Sequence, residues 1–209
     1  MHPYARTRIL MGTSDVSERP TPEPHVMDTL KGHLLISSGG LFDPNFRHTV
    51  VLVGQHDADD ADGAVGVVIN RPLDVAVDEA VPPLAPLVPD DEVLYEGGPV
   101  DPETPVLLAE LGEPHLPDVP VIGRIGFLTG EVAADLAWKV VQARVFSGYS
   151  GWAPGQLEAE LEQDSWIIEP ARPEDVFDDD PETLWSRVLR RKGPEYHHIA
   201  RMPFDPSMN

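Results

Sequence analysis

One serine of the chain lies in a glycine-rich run that could be compared with a hydrolase nucleophile. Ser150 stands in Gly148–Tyr149–Ser150–Gly151. A nucleophile elbow requires Gly-x-Ser-x-Gly, because the serine must occupy a strained turn between a strand and a helix. Here the second glycine follows the serine directly, one residue too early. We therefore expect Ser150 to be a turn residue, and the sequence predicts no catalytic residue.

Histidine is the second residue type that could carry chemistry, as a metal ligand. His48 and His56 bracket one predicted strand, and at about 3.3 Å per residue they stand roughly 26 Å apart. His197 and His198 are adjacent, so in an extended segment their side chains face opposite ways. Neither His-x-x-x-His nor Asp-x-Asp-x-Asp spacing occurs. We therefore predict no metal and no cofactor.

Two glycine-rich connections could bind an anion through free backbone N–H groups. Gly97–Gly98 follows a predicted strand, and the run 148–155 leads into a predicted helix. Neither fits a phosphate-binding motif, no lysine lies near, and Glu158 and Glu160 add repulsion. The favoured alternative is that the glycines allow positive φ angles and close packing around Trp152.

A group of aromatic and polar residues is the best candidate binding site. Trp and Tyr combine a large apolar face with a polar group, and Asn70–Arg71 ends a predicted central strand. The alternative is that Trp152 and Trp166 belong to the core and that Arg71 pairs with an acid in a loop. We predict ligand or partner binding by Asn70, Arg71, Gly97, Gly98, Tyr149, Trp152, Gln156 and Glu158.

The elements that must position these residues are mostly short strands. A β-branched run at 49–55 and its return at 64–70 predict a hairpin near the centre of a sheet. Helices are predicted at 131–141, after Pro154 and from Asp180 to the stop at Gly193–Pro194. A short helix and a loop are predicted at 73–91. Further strands are predicted at 33–37, 93–96, 106–110, 124–128, 143–146 and 165–169.

The chain divides into one domain and two flanking segments. Residues 1–28 are predicted to be a flexible N-terminal extension, because alternating prolines and a polar run cannot bury enough apolar area. The folded domain is predicted at 29–195, and 196–209 is predicted to be a C-terminal tail.

The charge balance excludes several classes of partner. The 209 residues include 36 Asp and Glu but only 15 Lys and Arg, for a formal charge of −21, and they include no cysteine. Such a surface repels nucleic-acid phosphates and anionic membranes, and cysteine-based metal sites are excluded. No apolar run is long enough for a membrane span or a signal-peptide core. A cytoplasmic location is therefore predicted.

Four segments together resemble the YqgE/AlgH family over residues 32 to about 193. The most specific is the run from Gly148 through Glu160, followed by Trp166. The resemblance implies an α+β fold, with a mixed, strongly bent β-sheet that partly closes into a barrel and is flanked by helices. It implies no specific activity, although some members are labelled transcriptional regulators. The other matching segments are Gly32–His33–Leu34–Leu35–Ile36 with Asp43–Pro44–Asn45–Phe46, Gly66–Val67–Val68–Ile69–Asn70–Arg71–Pro72, and Gly97–Gly98–Pro99–Val100.

Two functions of different classes follow from these residues. The first is a non-catalytic binding or regulatory module that acts through a protein or small-molecule partner, without direct nucleic-acid binding. The alternative is an enzyme of unrecognised type, such as a hydrolase, that uses Arg71 and a carboxylate such as Glu158 beside the glycine-rich turn. A closed pocket that holds Arg71, Glu158 and Tyr149 together would favour the enzyme.

Overall fold

The structure is a computed structural model that describes residues 29–41, 43–56, 63–130 and 134–204. The predicted extension 1–28 and the acidic loop 57–62 lie outside the described residues. Within the described ranges, no helix is long and apolar enough to cross a membrane.

Ten strands in the described part of the chain form one sheet. Short helices connect them: α1 (Val77–Ala80), α2 (Gln156–Glu162), α3 (Pro173–Val176) and α4 (Pro181–Lys192), with 3-10 turns at Pro82–Leu87, Ala134–Lys139, Pro194–Tyr196 and Ile199–Arg201. The strands are β1 (His33–Ser37), β2 (Val50–His56), β3 (Ala64–Val68), β4 (Pro72–Ala76), β5 (Val93–Glu96), β6 (Val100–Leu111), β7 (Val119–Ile122), β8 (Ile125–Leu128), β9 (Val140–Trp152) and β10 (Trp166–Pro170).

The sheet runs in the order β10-β1-β2-β3-β9-β6-β8-β7, and β4 pairs with β5 off this path. β5 pairs with β9 in parallel, and the other pairs among the described strands are antiparallel. The sheet is therefore mixed. β2 and β3 form the predicted hairpin and lie inside the sheet.

β9 is the strand around which the sheet bends. Its first ten residues pair mainly with β6, and its last three pair with β3. At the change of partner, Gly148 has a φ of 67°, a conformation that favours glycine. The sheet curls until β7, at one end of the strand order, lies against β2. The half-barrel that the resemblance implied is thus confirmed, as is the α+β class.

The two faces of the sheet are covered by different helices. Along β1, Leu34 and Ile36 face inward while Leu35 faces outward, as the two-residue period of a strand requires. α4 covers part of the inner face, and α2 covers the outer face through Leu157. The predicted apolar stripe of α4 is confirmed: Leu184, Trp185, Val188 and Leu189 are its buried residues.

Two predicted elements are wrong. In place of a helix at 131–141, a 3-10 turn spans Ala134–Lys139 and β9 begins at Val140; residues 131–133 are not described. The predicted turn at 148–155 is strand as far as Trp152. The connection to α2 is therefore only 153–155, where Gly155 has a φ of 75°. In both places pairing with neighbouring strands overrides the local preference of the sequence.

The chain after residue 195 is packed rather than separate as far as Phe204. Ala200 is buried, and Tyr196 and Ile199 pack against the inner core. The Phe204 ring lies 5.6 Å from the His48 ring. The described residues 196–204 thus contact the inner core and His48.

Candidate functional site

On the outer face, Trp152 and Trp166 are joined by one carboxylate. Both indole N–H groups donate to Oε2 of Glu160, at 2.9 and 2.7 Å, and the Gln156 amide donates to Oε1 at 2.9 Å. The rings of Phe46 and the two tryptophans pack at centroid distances of 5.4 to 6.2 Å. Each polar atom of this group is used inside the protein, so it forms a core that fixes α2 on the sheet.

Glu158 is held by a histidine that the sequence suggested only as a metal ligand. The backbone N–H of Leu30 donates to Nδ1 of His56 at 3.0 Å, so the other ring nitrogen donates to Glu158 at 2.8 Å. Burial raises the pKa of Glu158, but the bonds from His56 and from its own backbone outweigh it and leave the pKa lowered. The pair ties the start of the domain to β2 and α2. Among the described residues no group of three side chains could hold a metal.

Asn70 and Arg71 hold the loop that precedes β2. Asn70 accepts a bond from the Val50 N–H at 2.8 Å and donates to the carbonyl of His48 at 2.9 Å. Arg71 donates to the carbonyls of Pro44 and Arg47, at 3.1 and 3.2 Å, and to Glu96 at 3.3 Å. Their polar groups are therefore satisfied within the fold.

His48, at the end of this loop, is expected to make stability depend on pH. Its ring stacks on Trp185 at a centroid distance of 3.8 Å. Burial, and then the charge of Arg47, lower the pKa of His48 from 6.5. As the pH falls through about 6.5, the unfolded chain therefore binds a proton before the folded protein does, and the free energy of unfolding decreases.

The measurement is urea unfolding of wild type and His48→Asn between about pH 7 and pH 5. Asparagine tolerates the φ of 51° at this position and cannot titrate, so the variant should lose less stability over this window. His197→Asn changes an exposed histidine and should behave as wild type. Equal losses in wild type and His48→Asn would contradict the prediction.

Gly97 and Gly98 permit a close contact between β5 and β9. A Cβ on Gly97 would lie 2.2 Å from the carbonyl oxygen of Gly148, and one on Gly98 would lie 2.4 Å from the backbone of Tyr149. The Gly97 N–H donates to Ser147 O at 2.9 Å, so it is not free for an anion. Ser150 lies in β9 and not in the predicted turn; it is fully buried and donates to the Gly97 carbonyl at 3.2 Å.

Tyr149 is separated from Trp152 by the pleat of β9. It packs against the inner core while Trp152 belongs to the outer cluster, because residues three apart on a strand point to opposite faces. The candidate residues thus lie in separate places. Trp152, Gln156 and Glu158 lie on the outer face, Asn70 and Arg71 hold the loop before β2, Gly97 and Gly98 lie between β5 and β9, and Tyr149 lies on the inner face. A cavity on the inner face is lined by Tyr149 but by neither Arg71 nor Glu158.

That cavity has a volume of about 940 Å³ and lies in the part of the half-barrel that α4 does not fill. Its polar lining consists mainly of Gln55, Thr129 and Tyr149, and none of the described residues that line it is charged. Gly54 makes room on β2 for Phe127, whose Cε2 atom lies 2.3 Å from the place of a Cβ. The apolar lining includes Val65, Val67, Val106, Leu107, Phe127 and Leu128.

No segment of the sequence signals this cavity. Val65 and Val67 share one face of β3, a pattern that predicts burial equally well under a helix or around a ligand. An open inner face results from how far the sheet curls and where α4 ends, and both depend on distant pairings.

Comparison with known proteins agrees with the fold. A family model described as AlgH-like matches residues 34–197. The UPF0301 protein of Streptomyces avermitilis is 38% identical over 190 residues, which are 88% of this chain and 97% of the relative. UPF0301 protein CT0663 of Chlorobaculum tepidum is 38% identical over 185 residues, 85% of this chain and 95% of the relative.

Two solved structures have the same architecture. Protein DIP2367 from Corynebacterium diphtheriae has a TM-score of 0.72 at 25% identity, covering 82% of this chain and 91% of its own. The solution structure of AlgH from Pseudomonas aeruginosa has a TM-score of 0.64 at 29% identity, covering 88% and 98%. None of these names states an activity. The half-barrel, the family model and the full-length relatives together show that the chain belongs to the AlgH-like family.

Proposed function

We propose that the protein is a non-catalytic binding module that takes a small, largely apolar molecule into the inner cavity. The observation that carries this proposal is the cavity of about 940 Å³, whose described lining residues are all uncharged. Small-molecule sites have volumes of roughly 300 to 1,000 Å³ and are mainly apolar with a few polar groups. Burial of an apolar ligand against these valines, leucines and Phe127 supplies the affinity.

The positions of Arg71, Glu158 and Tyr149 favour binding over catalysis. Arg71 bonds to two backbone carbonyls and Glu96, and Glu158 bonds to His56. Neither reaches the cavity that Tyr149 lines. A hydrolase needs its acid, base and oxyanion donors around one reacting atom, and these three side chains do not meet that requirement.

We further propose that any effect on transcription is indirect, through a partner protein that responds to the bound ligand. The net charge of −21 opposes contact with nucleic-acid phosphates. The basic cluster at the end of α4 is largely used internally: Arg191 pairs with Asp175 at 2.7 Å, and Lys192 donates to the Ile168 carbonyl at 2.7 Å. The cytoplasmic location stays a prediction.

Binding of an uncharged fluorescent probe tests the proposal. N-phenyl-1-naphthylamine suits a protein of charge −21, because an anionic dye would be repelled. The expected result is saturable binding of one probe per chain. In Val65→Trp, a bulkier side chain at a cavity-lining position should weaken binding about tenfold or more, a change of about 1.4 kcal/mol.

The matched control is Val141→Trp. Val141 is another exposed valine on a strand, and it does not line the cavity. Both variants should keep the wild-type melting temperature, because aromatic residues suit exposed strand positions. Failure of the wild type to bind the probe, or equal binding by Val65→Trp and wild type, would overturn the proposal.

A further inference from the structure

Next to the cavity, two described carboxylates contact residues that line it. The Tyr149 hydroxyl donates to Oδ2 of Asp101 at 3.5 Å, and the Thr129 N–H donates to Oδ2 of Asp118 at 2.8 Å. Both aspartates are exposed. In the part of the chain that the structure describes, neither takes part in an ion pair. Two negative charges therefore border an apolar interior.

The backbone at Asp101 is unusual as well. Asp101 has a φ of 47°, in the left-handed region that non-glycine residues rarely occupy. Such conformations persist where the surroundings enforce them and are frequent at ligand sites. Here the conformation places the carboxylate within reach of Tyr149, next to the cavity.

We propose that the ligand of this cavity is a cationic amphiphile, whose apolar body enters the half-barrel and whose amine or quaternary ammonium head lies at Asp101 and Asp118. The inference rests on the proposed function and adds the charge of the ligand to it. Among the residues that the structure describes, the lining offers no Lys, Arg or His for a carboxylate or phosphate head. The chain's net charge of −21 concentrates cations near its surface, and the face of the Tyr149 ring can attract an ammonium group.

Competition among matched amphiphiles tests the inference. Decylammonium, 1,2-dodecanediol and undecanoate share one decyl chain and differ in the charge of the head. Each is titrated, below its micelle concentration, into full-length protein loaded with N-phenyl-1-naphthylamine. Decylammonium should displace the probe at about one tenth of the diol concentration, since two exposed charge contacts each contribute modestly. Undecanoate should be the weakest competitor.

Paired aspartate variants separate a local contact from the overall charge. Asp101→Asn/Asp118→Asn should bind the neutral probe as wild type does but lose the preference for decylammonium over the diol. The control Asp164→Asn/Asp179→Asn removes the same charge at exposed residues that do not line the cavity, and it should keep the preference.

Three results would overturn the inference. They are equal displacement by all three compounds, strongest displacement by undecanoate, and equal loss of preference in both double variants, which would assign the effect to net charge. A probe that binds normally while the cation preference is missing refutes the inference alone. Absence of probe binding refutes the proposed function, and the inference with it.

Discussion

Replacing Trp152 with alanine should lower the free energy of unfolding by about 3 to 5 kcal/mol. The side chain is 4% exposed, packs between Phe46 and Trp166, and donates to Glu160. The substitution removes the packing of a large ring and leaves Glu160 with one hydrogen bond fewer. Urea unfolding measures the loss, which should also lower the melting temperature by roughly 10 °C in a chain of this length.

Trp138→Ala is the matched control. Trp138 is 72% exposed, so its removal should change stability by no more than about 0.5 kcal/mol. Folded Trp152→Ala should also bind the neutral probe as wild type does, because Trp152 faces away from the inner cavity. Intact stability combined with lost probe binding would show that the outer face, and not the inner cavity, is the binding site.

Replacing Gly97 with alanine should destabilise the protein by about 1 to 3 kcal/mol or more. The new Cβ would lie 2.2 Å from the Gly148 carbonyl oxygen and 3.0 Å from the Phe146 Cβ. The strand cannot move away freely, because the Gly97 N–H is bonded to Ser147 O and its carbonyl accepts from Val68 N–H, each at 2.9 Å. Denaturant unfolding is again the measurement.

Gly40→Ala provides the comparison for this substitution. A Cβ at Gly40 would meet no atom closer than the Ser38 Oγ at 3.8 Å, and its φ lies outside the left-handed region. Its stability should stay within about 0.5 kcal/mol of wild type. If Gly97→Ala were as stable as Gly40→Ala, the close contact between β5 and β9 would not explain why glycine stands at residue 97.

Elements with a strong local pattern could be predicted from the sequence. β1 matches its predicted bounds, and α4 has the expected start at Pro181, apolar stripe and stop at Gly193. For β9, the sequence predicts a strand only at 143–146, because Gly148 and Gly151 resemble turn residues. Gly148 instead has a φ of 67°, and a Cβ there would lie 2.6 Å from the Val100 carbonyl oxygen on β6, a requirement set by another segment of the chain.

The candidate site was only partly predictable for the same reason. Trp152 and Trp166 are buried, as the alternative held, but the acid that pairs with Arg71 is Glu96 at the end of β5 and not an acid in a loop. The bond between His56 and Glu158 spans 102 residues, so no local spacing could reveal it. Tyr149 alone among the predicted residues lines the cavity, because the pleat of β9 turns its neighbour Trp152 to the other face.

Locating the neutral probe on the protein tests the central claim most directly. Isotope-filtered nuclear Overhauser spectra can detect contacts between N-phenyl-1-naphthylamine and labelled methyl groups. Contacts with Val67 and Val106, which line the inner cavity, are the predicted result. Contacts confined to Leu157 and Leu161, two residues of α2 that pack on the outer face, would contradict the claim that the half-barrel interior is the binding site.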